Sequence, residues 1–390
     1  MRHTVSGEPA FTLGIEEEYL LVDPVSRDLV ADPPPELVEA LEHRHAGSVA
    51  REFFRCQVEV GTPVCRTIGE ARTEIKRLRR SVVEEAERHG LAIIAASTHP
   101  FGTWRPQKHT DRSRYDQLAR DLGVPVRRLL ICGAHVHAGI EDPNLRIDLM
   151  RQIRYFLPHL LSLTTSSPFW QGTDTKLKSY RLAVFSELPR TGMPEEFQSY
   201  GEYESALASL VQAGVIEDGS KIWWDIRPSA RFPTLEMRVS DVCTRVEDGL
   251  TVAALYLCLL RMLWRLRAQN IAWRRYRSVL IEENRWRAMR YGFEEGLIDW
   301  GKGKLVPYAE LLEEVMVLVA EDAAALGCEA EIAQARDILA RGTSAHRQLA
   351  TYYEALAQGV DEAEALRRVV DWLILETKTG LSEDPPATAS

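Results

Sequence analysis

Glu16 and Glu18, Glu59, His135 and His137, and Glu236 with Arg238 are the side chains of this 390-residue chain best placed, by type and spacing, to do chemistry. They lie in four short segments: Gly14-Ile15-Glu16-Glu17-Glu18-Tyr19-Leu20, Cys56-Gln57-Val58-Glu59-Val60, Gly133-Ala134-His135-Val136-His137-Ala138-Gly139 and Thr234-Leu235-Glu236-Met237-Arg238-Val239-Ser240. Side chains alternate faces along a β-strand, so charged residues two apart share a face. In the last three segments the other face is apolar or small: Val58 and Val60, then Ala134, Val136 and Ala138, then Leu235, Met237 and Val239. Two glutamates two apart on a strand stand roughly 7 Å from one another and, at an effective dielectric near 20, repel by about 2–3 kcal/mol. Such a face is either open to water or neutralised by cations. Carboxylate oxygens suit the hard cations Mg²⁺ and Mn²⁺, and a mixed Glu/His set is compatible with both. The polar outer face of an ordinary antiparallel sheet would account for Glu16 and Glu18 alone. Four segments with one pattern, two of them adding His or Arg, favour a site.

The elements that position these residues read as an interleaved α+β domain. Thr67-Ile68-Gly69-Glu70 is a capping box, and behind it Ile68, Ala71, Ile75, Leu78 and Val82 recur at helical spacing as far as Gly90. Leu91 to Ala96 reads as a buried strand. Asp148 to Leu163 reads as a helix kinked or divided by Pro158. Glu247 to Leu266 reads as an apolar helix packed under the sheet, and the chain from Asn284 to about Lys378 as mostly helical. Residues 1–10 and 379–390 are expected to be flexible ends, around a single domain over 11–378.

Composition narrows the function classes. With 45% hydrophobic and 27% charged residues the chain reads as soluble and globular. Its formal net charge of −9 argues against a nucleic-acid partner. The longest apolar run, Val252 to Leu260, is too short to cross a bilayer, so no membrane partner is expected. The six cysteines form no C-x-x-C pair and read as buried thiols of a reducing compartment; a cytoplasmic location is expected. The Leu- and Trp-rich helical regions offer surface for a homodimer. No Walker loop, G-x-x-x-x-G-K-S/T, occurs, so phosphate binding by a P-loop is excluded.

Taken together, the four segments resemble the glutamate–cysteine ligase type 2 family, in particular its YbdK-like carboxylate–amine ligases. The resemblance continues through Ser166-Ser167-Pro168-Phe169-Trp170-Gln171-Gly172, Trp223-Trp224-Asp225-Ile226-Arg227-Pro228 and Glu283-Asn284-Arg285-Trp286, and so covers roughly residues 11–375. It implies the glutamine-synthetase-like fold, an antiparallel sheet curved into a funnel with helices on its outer face and ATP with divalent metals inside. It also implies ATP-dependent joining of a small-molecule carboxylate to an amine through an acyl phosphate, with weak glutamate–cysteine ligase activity. By the same resemblance Glu16, Glu18, Glu59, Glu236 and His135 are metal ligands. His137, where some relatives have Asn, is assigned to substrate or phosphate contact, and Arg238 to the γ-phosphate.

Other candidates are less sharply marked. Arg181 suits a substrate carboxylate, with a surface Arg as the equal alternative. Arg285 and Arg290 are candidates for reaching ATP from a helix, although a solvated helix face is the commoner meaning of such residues. Of Trp170, Trp223 and Trp224, at least two are expected in the core. His99 precedes Pro100 at a strand end, and Lys176 stands where relatives of this type commonly have Gly. Two rival readings remain at this stage. His135-Val136-His137 is also how a zinc amidohydrolase barrel begins its metal site, but that barrel needs eight βα units and further ligands. A member of the ligase fold that binds ATP without turnover is the non-enzymatic alternative.

Overall fold

The computed structural model describes residues 7–111, 117 and 120–381. Its centre is an antiparallel sheet of seven strands: β1 (Leu13–Val22), β2 (Val49–Arg51), β3 (Gln57–Gly61), β4 (Ala92–Ile94), β5 (Ala134–Gly139), β6 (Ile226–Pro228) and β7 (Thr234–Met237). The order is β6-β7-β5-β1-β3-β2, with β4 paired to the far end of β1. All these pairings are antiparallel, which removes the amidohydrolase reading, since that barrel is built from parallel strands.

Register decides the site. Glu18 lies opposite Glu59, Glu16 opposite His135, His137 opposite Glu236, and Glu236 opposite Arg227. Residues directly opposite in an antiparallel ladder share a face, so the separate segments join into one polar surface. The reverse face carries Ile15, Tyr19, Val58, Val60, Val136, Leu235 and Met237, all buried. It also carries Glu17, whose carboxylate takes two bonds from the Arg79 Nη2 at 2.7 and 2.8 Å and one from Nε at 3.0 Å.

Helices cover that reverse face. Helix Ile68–Arg88 starts as its capping signal predicts: Thr67 Oγ1 accepts from the N–H of Glu70, while the Glu70 carboxylate reaches back to the N–H of Arg66. Helix Val246–Ala268 is apolar and 23 residues long, longer than the apolar run alone implies. By length and composition it could cross a membrane, yet 72% of its most apolar window is buried in the protein. Tyr256 on this helix donates to the carbonyl of Leu235 in β7, so the helix holds the strand bearing Glu236.

Several boundaries differ from expectation for local reasons. The helix expected from Asp148 begins earlier, at Pro143, because Asp142 caps it with bonds to the N–H groups of Asn144 and Leu145. A 3₁₀ turn at Arg154–Phe156 then separates it from helix Leu157–Thr164, whose first turn Pro158 occupies. The helical C-terminal region is interrupted by a hairpin, Leu297–Asp299 with Lys304–Val306. At the ends, Glu8 pairs with Arg261 at 2.7 Å, and the buried Leu381 offers its carbonyl to Arg80. Of the segments expected to be flexible, residues 1–6 and 382–390 lie outside the described residues. One hydrophobic cluster runs from Phe11 to Leu381.

Candidate active site

The polar face of the sheet forms the floor of a cavity of about 300 Å³. Every metal candidate from the sequence, Glu16, Glu18, Glu59, His135 and Glu236, lines it, as do His137, Arg181 and Arg238. Arg285 and Arg290 do not. Arg285 is buried behind the cavity against Asp225, and Arg290 donates to the carbonyl of Lys176 on the exterior. The structure thus does not bring these two guanidinium groups, expected at the nucleotide, to the cavity lining.

The site has two electrostatic halves. On the β5–β7 side the charges compensate. Glu236 is gripped by Arg227 (Nε to Oε2, 2.9 Å; Nη2 to Oε1, 3.2 Å) and by the Nη1 of Arg238. Burial pushes the Glu236 carboxyl up, but the two guanidinium groups outweigh it and hold it well below the ordinary carboxylate range. Glu16 behaves alike: burial opposes ionisation, and hydrogen bonding to His135 and His137 prevails. His135 Nδ1 is 3.0 Å from Glu16 Oε2, and its own pKa is depressed to about 4, first by burial and then by Arg238.

On the β1–β3 side the acids crowd one another. Burial, then the neighbouring Glu52, push Glu18 up to about 8, and Arg181 and Arg238 offset this only in part. Glu59 is driven well above its usual value by burial and by Glu52, with which it shares a hydrogen bond, and by Glu16. Two carboxyls in such contact cannot both be ionised without a cation.

These features bear on which residues fit divalent metals. Glu16, His137 and Glu236 place ligand atoms within 4.8 Å of one another. The Nε2 of His137 is buried and stands 3.4 Å from Glu16 Oε1, while its Nδ1 lies 2.9 Å from the Thr234 hydroxyl. Donation from Nδ1–H to Thr234 leaves the Nε2 lone pair free to ligate, as an outer hydrogen bond does for metal-bound imidazole. Both histidines face Glu16, His135 through Nδ1 at 3.0 Å and His137 through Nε2 at 3.4 Å, and His137 is the one grouped with Glu16 and Glu236. Glu18, Glu52 and Glu59 add further carboxyl oxygens to the lining of the same cavity, donors of the kind hard cations take.

Sequence reasoning missed two members of the site. Glu52 stands just past β2, outside the alternating segments, and only the pairing of β2 with β3 brings it to Glu59. Arg227 was within a recognised motif, but its role depends on the β6–β7 register. The remaining candidates separate cleanly. Trp223 lines the cavity, whereas Trp170 packs on Tyr180 and Trp224 on Phe197. His99 is structural: its Nδ1 accepts from the N–H groups of Phe101 and Gly102. Lys176 has φ +62°, a left-handed conformation that favours Gly, and Asp174 and Tyr353 hold its ammonium there.

The crowded acids give a pH signature. A carboxyl whose folded pKa exceeds its unfolded value binds more protons when folded, so its contribution to stability is lost as pH rises between the two values. For Glu18 that window runs from about 4.5 to about 8. The buried His99, His135 and His159, all depressed to about 4, act in the opposite sense but only up to about pH 6.5. In EDTA the melting temperature should therefore fall between pH 6.5 and 8, and fall less in Glu18→Gln. Parallel slopes for the two proteins would refute this account of the acid cluster.

With this geometry in place, the comparisons with known proteins are specific. Residues 12–371 match glutamate–cysteine ligase family 2. The chain is 60% identical over 384 residues to a Rhodospirillum rubrum protein named "Putative glutamate--cysteine ligase 2", covering 97% of this chain and 99% of that one. It is 54% identical over 374 residues to a Jannaschia protein of the same name, covering 96% and 98%. Among solved structures it resembles a glutamate–cysteine ligase of Francisella tularensis in complex with AMP (TM-score 0.67, 16% identity, 97% of this chain and 91% of that one). It also resembles a bifunctional glutathione synthetase of Pasteurella multocida (TM-score 0.66, 15% identity, 94% of this chain), of which it spans about half, 53%. These two likenesses show a shared fold, and the sequence matches, running nearly end to end, show that the chain belongs to glutamate–cysteine ligase family 2.

Proposed function

We propose that the protein is an ATP-dependent carboxylate–amine ligase, with glutamate and cysteine as the substrate pair suggested by its relatives. The observation that carries the reading is the joining, by strand register, of Glu16, Glu18, Glu59, His137 and Glu236 to Arg238 on one cavity floor.

A carboxylate does not react with an amine at neutral pH, because it is negative and has no leaving group. Attack by a carboxylate oxygen on the γ-phosphorus of ATP breaks the bond to the β-phosphate oxygen and gives an acyl phosphate and ADP. The amine nitrogen then attacks the carbonyl carbon, phosphate leaves with one former carboxylate oxygen, and the ammonium product loses a proton. Phosphoryl transfer of this kind is catalysed chiefly by positioning and by neutralising charge. Mg²⁺ or Mn²⁺ held by Glu16, His137 and Glu236, and by Glu18, Glu52 and Glu59, would supply neutralisation of the phosphate oxygens. Arg238, fixed on Glu236, presents a planar donor fork to the transferring group. Arg181, buried at the cavity wall with its Nε unpartnered and offsetting the Glu18 charge, suits an anionic substrate group.

The test is ADP release that depends on both acid and amine, followed with carboxylate-¹⁸O substrate. One labelled oxygen should appear in phosphate. Label in AMP would mean activation by adenylation, and ADP release indifferent to the amine would mean that no ligation occurs. A linked expectation concerns the metal: activity lost on EDTA dialysis should return with Mg²⁺ or Mn²⁺. Restoration by zinc alone would contradict the assignment.

A further inference from the structure

One-to-one pairing of β6 with β7 ends at Arg238. β6 and β7 pair in register as far as Ile226 opposite Met237. Beyond that point the N–H groups of both Arg238 and Val239 donate to one carbonyl, that of Asp225, at 2.8 and 3.0 Å. Two residues facing one is a β-bulge, a device that bends the strand and re-aims a side chain and is common beside active sites. We infer that this bulge fixes the backbone from which the Arg238 guanidinium faces the cavity, and that Arg285 and Arg181 are positioning residues that hold the bulge from its two sides.

The Asp225 side is anchored by charge. Its carboxylate, 2% exposed, takes a forked bond from Arg285, Nε to Oδ2 at 2.5 Å and Nη2 to Oδ1 at 3.2 Å. Its own N–H donates to the carbonyl of Gly192. Asp225 is thus tied at both its side chain and its N–H, which leaves its carbonyl a fixed acceptor for the bulge. Arg285 lies on helix Ser278–Tyr291, and Asp225 links that helix to the bulge.

The opposite side is held at the next peptide group. Arg181 Nη1 and Nη2 both donate to the carbonyl of Arg238 at 3.2 Å. Arg181 is itself placed by Ser167, whose hydroxyl accepts from the Arg181 N–H and donates to the buried Asp241. A Cβ on Gly133 would lie 2.4 Å from Arg181 Nη2, so only glycine leaves room for this guanidinium. The peptide groups flanking Arg238 are therefore clamped, N–H by Asp225 and C=O by Arg181, while the Arg238 side chain stays free to face Glu236 and the cavity.

The kinetic arm of the test rests on the proposed ligase activity, and the exchange arm does not. Arg285→Met should lower kcat by about 10²-fold, as a misplacement near 1 Å does, with KM for ATP and Mn²⁺ affinity changed less than twofold. In an Arg238→Lys background the same substitution should cost little more, because a positioning effect vanishes when its target is already displaced. Arg285→Lys, which keeps the charge, should recover part of kcat and stands in if the Met variant does not fold. Hydrogen exchange on metal-free protein should show faster amide exchange at residues 238–239 in either variant, whether or not turnover is detectable. Equal losses in both backgrounds, a raised KM for ATP with kcat intact, or unaltered exchange at 238–239 would each overturn the inference.

Discussion

Arg238→Lys should lower kcat for amine-dependent ADP release by roughly 10²–10³-fold, the cost of removing a preorganised donor from a developing charge. The native guanidinium serves two directions at once. Its Nη1 is bonded to Glu236 and stands 3.5 Å from the ring of His135, and its peptide is held by Asp225. One edge is thus committed to the floor of the site and another remains for a phosphate oxygen. Lysine keeps the positive charge but is a point donor without the fork, so it can satisfy Glu236 or the phosphate but not both in one geometry. Protein stability should change little, because Arg227 continues to pair with Glu236 and no acid is left alone. Steady-state kinetics beside a melting curve decides the matter. Unchanged kcat would mean that Arg238 is only a counter-ion of Glu236.

That expectation could be formed from Glu236-Met237-Arg238 alone, and it shows what kind of information a single sequence holds. Two-residue spacing exposes which side chains share a face, and it located Glu16, Glu18, Glu59, His135, His137, Glu236 and Arg238 in one cavity. Capping chemistry likewise placed the start of helix Ile68–Arg88. Spacing carries no information about partners from distant segments. Which nitrogen of His137 turns toward Glu16 depends on Thr234, which arrives from β7 and meets Nδ1. Glu52 joins the acids through β2–β3 pairing, and Arg285 turns away because Asp225 occupies it. The motifs carrying Asp225 and Arg285 were recognised separately. Their common purpose, an ion pair behind the Arg238 bulge, exists only in three dimensions.

Glu17 is the clearest case of a residue whose neighbours conceal its role. In Glu16-Glu17-Glu18 the outer two face the cavity, and the middle one points into the core with 2% exposure, against an Arg79 that is wholly buried. Arg79→Met should destabilise the protein by about 3–5 kcal/mol, since it strands a buried carboxylate, whereas replacing both members of such a pair is far better tolerated. The double variant Glu17→Leu/Arg79→Met should therefore recover much of the loss in a denaturant titration. Full recovery is not expected: Arg79 also donates to the carbonyls of Cys243 and Thr244, and Tyr19 donates to Glu17. A double variant no more stable than Arg79→Met would mean that these carbonyl bonds, not the ion pair, hold the contact. A one-residue slip of β1 would carry Glu16 and Glu18 into the core. The Arg79 guanidinium, bonded to Glu17 from one side and to the Cys243 and Thr244 carbonyls from the other, opposes that slip. Whatever stability the pair adds, its position makes it a register pin for the strand that presents the site's first two acids.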